Sequence, residues 1–300
     1  MSSFSPMLAT ASTGASGRQP VRIEQLEGTH MFDLKLDGTR CWIDDQGELR
    51  NRTNVVVTHK YPEIVEALAE CPPWGRLDGE IVGEDGKFET ALLRDKQEHT
   101  SSIRRVAKQH PVRFVAFDMP SDRLITTPWW RRREALSTWG RGVDPRISVS
   151  PVSEESVFLK RVADLGMEGV IAKRMTSAYA VGKRSIDWIK FKNTQRITCL
   201  VAGYYPGQGS RAHFGGMHLA LLDPSGEAPV RVGDVGSGFT VRQTHELKAR
   251  LDNQEVLVVE IEALNVTSGR QLRFPVFRGV RSDVDPSTCT IEQLDLLATC

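Results

Sequence analysis

No apolar run in the 300 residues reaches the length a bilayer demands. The opening stretch from Met1 to Pro20 is rich in Ser, Thr, Gly and Ala and lacks the apolar centre of a secretion signal. A soluble intracellular protein is expected. Cysteine is scarce and shows no pattern: Cys41, Cys71, Cys199, Cys289 and Cys300 are odd in number, widely scattered, and never at CxxC spacing. That argues against a disulfide framework and a zinc site, and a reducing cytoplasm fits. Neither sign of charge is in excess. Lys+Arg 39 against Asp+Glu 38 leaves a formal +1, so only local clustering decides whether a polyanion is a partner. Internal repeats are absent, as is any low-complexity tract beyond the N-terminal small residues.

What is present suffices for two hydrophobic cores, since a chain of 300 residues with 40% hydrophobic content exceeds what one core usually supports. The apolar runs ending at Trp42-Ile43 and at Ile81-Val82 are each followed by an acidic-glycine turn, Asp45-Gln46-Gly47 and Glu84-Asp85-Gly86. Both read as strand hairpins. Pro62 to Ala69 has proline at its first position and a 3.6-residue apolar period, and Cys71-Pro72-Pro73 ends it. Further helices are expected from Trp130 to Trp139 and from Glu154 to Leu165, the latter closed by Gly166. Strands return at Gly169 to Ala172 and Trp188 to Phe191. Beyond Thr194 come short strands between glycine-rich turns, with one helix near Gln243 to Leu251, which is the spacing of a small β-barrel. Two domains follow, 1–193 and 194–300.

Lys35-Leu36-Asp37-Gly38-Thr39-Arg40 places a lysine and an arginine around a tight Asp-Gly turn. Alone it reads as a charged hairpin. Acidic residues stand at strand-like sites in Leu77-Asp78-Gly79-Glu80 and in Glu168-Gly169-Val170-Ile171-Ala172-Lys173. Lys190 and Lys192 share one face of a strand. Nucleotidyl transfer needs this mixture of cations for phosphate oxygens, carboxylates for a divalent metal, and a nucleophile in line. A lysine attacks phosphorus only as the free amine, and Lys190, Lys192 and Arg40 are candidates for favouring that form of Lys35.

Taken in order from Phe32 to about Pro286, these segments resemble the covalent nucleotidyltransferase superfamily of ATP-dependent DNA ligases, RNA ligases and mRNA capping enzymes. The resemblance implies an α+β nucleotidyltransferase domain of ATP-grasp-like antiparallel sheets with helices, followed by an OB-fold β-barrel. The stretch from Lys35 to Arg40 matches the family's KxDGxR motif, which implies Lys35 as the lysyl-AMP site and Arg40 as a nucleotide or phosphate contact. Arg52, preferred to Arg50, falls on the 5′-phosphate side. Glu80 of the DGE-like segment would hold the ribose or a metal, Glu168 would be the main metal carboxylate, and Asp78 would be structural. Phe117 would stack on adenine, and Lys190 and Lys192 complete the nucleotide site. The segments Gly203 to Arg211 and Val235 to Phe239 resemble the OB-fold of DNA ligases. Arg281 and Asp283 fit the last motif, RxDK, but Val284 stands where the family has lysine. That lysine orients the ATP pyrophosphate, and Arg278 or Arg281 is a candidate to compensate.

The implied activity is ATP-dependent sealing of 5′-phosphate/3′-hydroxyl nicks with Mg2+ or Mn2+, through lysyl-AMP and DNA-adenylate. Nicked duplex DNA is the implied partner, with repair or replication proteins as further candidates. A monomer without membrane association is expected, in the bacterial cytoplasm and nucleoid or a viral host's cytoplasm. Arg104-Arg105, Arg131-Arg132-Arg133 and Lys183-Arg184 are the basic clusters available to backbone phosphates. The residues before Lys35 leave no room for a large helical DNA-binding domain, so a minimal two-domain enzyme is expected. The alternatives are an RNA ligase, an mRNA guanylyltransferase, or a non-catalytic nucleic-acid-binding protein with this fold. An NAD-dependent ligase is disfavoured for want of a nicotinamide-recognising domain and a four-cysteine zinc module.

Overall fold

The computed structural model describes residues 4–13, 19–226, 228–267 and 269–298. Cys300 and part of the N-terminal small-residue stretch lie outside them. The chain divides into two compact units, Met1–Val162 with Met167–Phe191, and Ala163–Gly166 with Lys192–Cys300. No helix among the described residues is long and apolar enough to cross a membrane.

The first unit holds strands β1 (Leu8–Ala11), β2 (His30–Leu34), β3 (Thr39–Ile43) and β4 (Leu49–Asn51), helix α1 (Pro62–Ala69) and strand β5 (Leu77–Gly83). Helices α2 (Phe88–Asp95) and α3 (Thr100–Gln109), β6 (Val112–Asp118), α4 (Trp129–Trp139), β7 (Ile147–Val149) and β8 (Val152–Ser153) follow. Helix α5 (Phe158–Asp164), β9 (Gly169–Arg174) and β10 (Arg184–Lys192) come last. Two sheets result, ordered β1-β10-β9-β2-β8 and β4-β3-β5-β6-β7. The chain passes from one to the other between β2 and β3, at the turn after Lys35. Hence the KxDGxR segment is a crossing between sheets, not a hairpin.

The turn from β3 to β4 is a hairpin, with Asp44 Oδ1 accepting from the amides of Gln46 and Glu48 and Gly47 at φ 80°. The second expected hairpin does not form. Asp85 instead accepts from the Lys87 amide and the Thr90 hydroxyl, so the chain leaves the turn into α2, and β5 pairs with β3 and β6. Helix α1 buries Ile64, Ala67 and Leu68, as its period requires. Helix α5 is shorter than expected: it begins at Phe158, the amides of Glu155 and Ser156 ahead of it donating to the Ser153 hydroxyl and the Glu27 carboxylate.

The Arg131-Arg132-Arg133 cluster is not a surface patch. Arg132 and Asp118 are both fully buried and make a bidentate pair, with Nε and Nη2 donating at 2.7 and 3.0 Å. Arg133 is half-buried and donates to the Ser150 carbonyl at 2.7 Å. Only Arg131 is exposed.

The second unit contains β11 (Gln195–Tyr205), β12 (Gly216–Leu222), β13 (Pro229–Val235), α6 (Val241–Asp252), β14 (Val258–Ala263), β15 (Val276–Val280) and α7 (Gln293–Ala298). Thr240 and Gln243 form a capping box that starts α6. The strands make one antiparallel sheet, β13-β12-β11-β14-β15, over a core that includes Ile197, Phe214, Leu219, Val259 and Phe277. Among the described residues this sheet does not close, which differs from the expected barrel.

Candidate active site

Gly38 explains how the Lys35 segment reaches its place. A Cβ there would lie 2.1 Å from the Ile81 carbonyl oxygen on β5, so the crossing turn tolerates only glycine. The Lys35 amide donates to the Gly169 carbonyl at 2.8 Å, which ties the end of β2 to the start of β9. At this junction Lys35 Nζ is ion-paired with Glu168 Oε2, although 133 residues separate them in sequence.

Beside this pair lies a cavity of about 210 Å³. Of the residues expected at the site, Lys35, Arg40, Arg52, Glu80, Phe117 and Lys190 line it. Arg50 does not; it is paired with Glu48 and bonded to the Asn54 carbonyl. Lys192, Arg281 and Asp283 belong to the second unit. There Lys192 Nζ lies 4.5 Å from the Phe274 ring centroid, and Arg281 is paired with Glu260 and Asp283. Arg278, the other candidate to compensate for Val284, is paired with Glu262.

Arg40 does more than face the cavity. Its Nε and Nη2 each donate to Asp78 at 2.7 Å, and its guanidinium carbon sits 4.6 Å from the Phe117 ring centroid. Burial opposes its charge, yet the Asp78 carboxylate and its hydrogen bonds more than offset this and hold the pKa above the usual arginine range. Asp78, with no exposure, is thereby a structural acid.

Burial pushes the Glu80 carboxyl up to about 7, against the pull of Arg40 and Lys35 and with the help of Glu168 and Asp78. Burial outweighs the two nearby cations, and the hard oxygens of such carboxylates suit a divalent ion such as Mg2+. Among the described residues no cluster of three or more metal-ligating side chains occurs. An ion on Glu80 and Glu168 would therefore complete its shell with phosphate oxygens and water.

Asp33, Lys173, Arg184 and Trp188 also line the cavity. Lys173 is almost wholly buried; Nζ donates to Asp33 Oδ2 at 2.6 Å and to the Phe117 carbonyl at 3.0 Å, and burial lowers its pKa. Asp33 precedes Lys35 by two positions, the spacing of one strand face, and was not among the residues expected at the site.

A family profile described as ATP dependent DNA ligase domain matches residues 6–192. The chain belongs to this ligase family. A DNA ligase of Thermococcus fumicolans is 31% identical over 91% of this chain and 56% of its own length. The multifunctional non-homologous end joining protein LigD of Pseudomonas aeruginosa is 31% identical over 85% of this chain and 34% of its own. The chain thus spans about half, or less, of the length of these relatives. Among solved structures, a Lig E DNA ligase superposes with a TM-score of 0.68 at 24% identity, covering 91% of this chain and 98% of that one, and shares the fold. The ligase domain of M. tuberculosis LigD gives a TM-score of 0.51 at 25% identity, covering 96% and 98%.

Proposed function

We propose that this chain seals 5′-phosphate/3′-hydroxyl nicks in duplex DNA with ATP, through AMP carried on Lys35. The observation that carries the reading is Lys35 at the wall of a cavity with Glu168 on its Nζ and Glu80, Arg52, Phe117 and Lys190 around it.

Lys35 attacks as the free amine, its proton having passed to water, while its pairing with Glu168 Oε2 holds Nζ at the cavity wall. Nζ then forms a bond to the ATP α-phosphorus as the bond to pyrophosphate breaks. In the second step the nick 5′-phosphate displaces Lys35 from AMP, with Arg52 the cation at the cavity wall for that phosphate. The adjacent 3′-hydroxyl finally attacks the 5′-phosphorus and releases AMP. A divalent cation held by Glu80 and Glu168 supplies charge neutralisation of the phosphate oxygens when bound. Phe117 and the Asp33-Lys173 pair, all in the cavity lining, are the apolar wall and the fixed polar partner available to the base.

We further read the second unit as an OB-fold. Five antiparallel strands with a helix between the third and fourth, ordered third-second-first-fourth-fifth, support that reading as a partly open barrel. A DNA-facing role for this unit is supported by Phe274. Its ring is 52% exposed at a left-handed backbone (φ 50°), with Lys192 Nζ at 4.5 Å and the Arg273 guanidinium at 5.3 Å. An exposed aromatic with two cations beside it suits a nucleic-acid backbone and its bases.

The test is incubation with magnesium and α-labelled ATP or, separately, GTP. Label from ATP that survives denaturation, is absent in Lys35→Ala and chases into a sealed DNA nick supports the reading. Label from GTP, or transfer only to RNA ends, replaces it with a capping or RNA-ligase activity. Absence of label from folded protein favours a binding role.

A further inference from the structure

The segment before β2 reaches into the centre of the first unit. Met7 is fully buried and Phe4 nearly so, stacked on Tyr179 at 5.7 Å and edge-on to Trp42 at 4.8 Å. Asn54, itself at φ 66°, donates to the Phe4 carbonyl at 2.7 Å, and β1 then runs parallel to β10. Leu8 and Ala9 from this strap line the nucleotide cavity.

Both peptide groups of Met7 are used. Its N–H donates to the Tyr179 hydroxyl at 2.9 Å, and its carbonyl accepts from Arg40 Nη2 at 3.1 Å. The Tyr179 hydroxyl in turn donates to Asp78 Oδ2, the oxygen that also receives Arg40 Nη2. Met7, Tyr179, Asp78 and Arg40 therefore form a closed ring of hydrogen bonds, with every member buried or nearly so. Arg40 has three nitrogens; Nε and Nη2 are consumed by this ring, and among the described residues nothing accepts from Nη1. Since Arg40 lines the cavity and lies over Phe117, the ring fixes the plane of the guanidinium, the free edge it offers and the aromatic beside it. Burial next to Asp78 keeps the phenol protonated, so it remains a donor at all working pH.

We propose that Tyr179, supported by the N-terminal strap Phe4 to Ala11, is a positioning residue for nucleotide binding that acts through Asp78 on Arg40. The proposal rests on reading the cavity as the ATP site. Tyr179 touches no reacting atom; its work is to hold Arg40 in one plane before ATP arrives. Without the phenol, Asp78 loses one of its three donors and the Met7 amide loses its acceptor. Arg40 then has alternatives to the orientation that presents Nη1 and Phe117. The cost falls on nucleotide capture, because Lys35, Glu80 and Glu168 are not part of the ring.

The experiment measures lysyl-AMP formation against ATP concentration for wild type, Tyr179→Phe, Arg40→Ala and the double variant. Phenylalanine keeps the ring packing on Phe4 and Trp188. The expected result is an ATP concentration for half-saturation about tenfold higher in Tyr179→Phe, the loss of one charge-assisted hydrogen bond, with a maximal rate within about twofold of wild type. In the Arg40→Ala background the same change adds little, because the residue through which it acts is gone. Half-saturation unchanged in Tyr179→Phe, a loss confined to the maximal rate, or an equal loss on both backgrounds overturns the proposal while leaving the ATP site standing. No label in the wild type overturns both. If the phenylalanine variant does not fold, Asp78→Asn weakens the same link with little change of shape and carries the same expectation.

Discussion

Lys35 and Glu168 hold each other across the junction of β2 and β9: the proposed nucleophile is paired with the carboxylate proposed for the metal. The pair keeps the lysine at the cavity wall, beside the carboxylate. Lys35→Ala and Lys35→Arg are expected to abolish acid-stable labelling by ATP. Glu168→Ala should keep the fold, and labelling should fall by about two to three orders of magnitude, the usual loss when a preorganised charged group is removed from a transition state. Single-turnover labelling with each variant checks both, and near-normal labelling in Glu168→Ala would remove that residue from the mechanism.

Glu80 makes pH an informative variable. A carboxyl whose folded-state pKa is raised to about 7 stabilises the fold fully below its unfolded value near 4.5. That contribution is lost as pH rises through 7 and the buried group ionises. Glu80→Gln is therefore expected to melt a few degrees above wild type at pH 8 and level with it or slightly below at pH 5. Catalysis should move the other way. At limiting magnesium, wild-type labelling should rise with pH through about 7, since the metal binds the ionised form, and raising magnesium should move the midpoint down. Melting curves at the two pH values and a magnesium-by-pH grid of labelling rates are the measurements; a pH-independent difference in melting would contradict the assignment.

The residues around the cavity were more legible in the sequence than the frame that carries them. The KxDGxR segment, Glu80, Glu168 and Lys190 were visible because chemistry restricts residue type at each of them, and the structure gathers them around one cavity. Less visible was anything set by a partner distant in the chain. Arg132 looked like surface charge because its buried acid, Asp118, lies on another element. Lys173 was the end of a motif until Asp33 was placed opposite it, and Tyr179 had no local signal at all. Helices α2 and α3 were missed because each buries few apolar residues; in α3 only Ile103 and Val106 face inward. The Asp85 turn misled because an acidic-glycine pair serves equally to close a hairpin or to open a helix.

The three neighbouring arginines of α4 should separate cleanly. Arg132→Ala leaves Asp118 buried without its counter-charge and is expected to cost about 3–5 kcal/mol of stability. Arg131→Ala, at an exposed site, should change stability by no more than about 0.5 kcal/mol. Denaturant unfolding of the two variants tests this, and equal effects would contradict the buried pair.

Val284, which stands in place of the family lysine, packs partly buried against the core of the second unit. Its side chain therefore does structural work that a lysine would do only with its stem, the ammonium reaching outward. Val284→Lys is expected to lower stability by about 1 kcal/mol and to reduce the ATP concentration for half-maximal labelling several-fold. Unchanged half-saturation would mean that pyrophosphate is held by other cations.

Phe274 is the position where stability and function should move in opposite directions. A phenylalanine at φ 50° adopts a backbone that glycine enters without steric cost, and its ring is half in water, so the fold gains little from it. Phe274→Gly should therefore raise stability by about 1 kcal/mol. If the ring stacks on bases while Lys192 and Arg273 neutralise phosphates, the same change should weaken nick binding by about 1–3 kcal/mol and leave lysyl-AMP formation unaltered. Phe274→Tyr, which keeps a stacking face, should restore most of the affinity, whereas Phe274→Leu should not. Nick binding by fluorescence anisotropy, run beside thermal melting, separates the two effects. A glycine variant that binds nicks as wild type does would show that the left-handed backbone serves the packing of the loop and not the DNA.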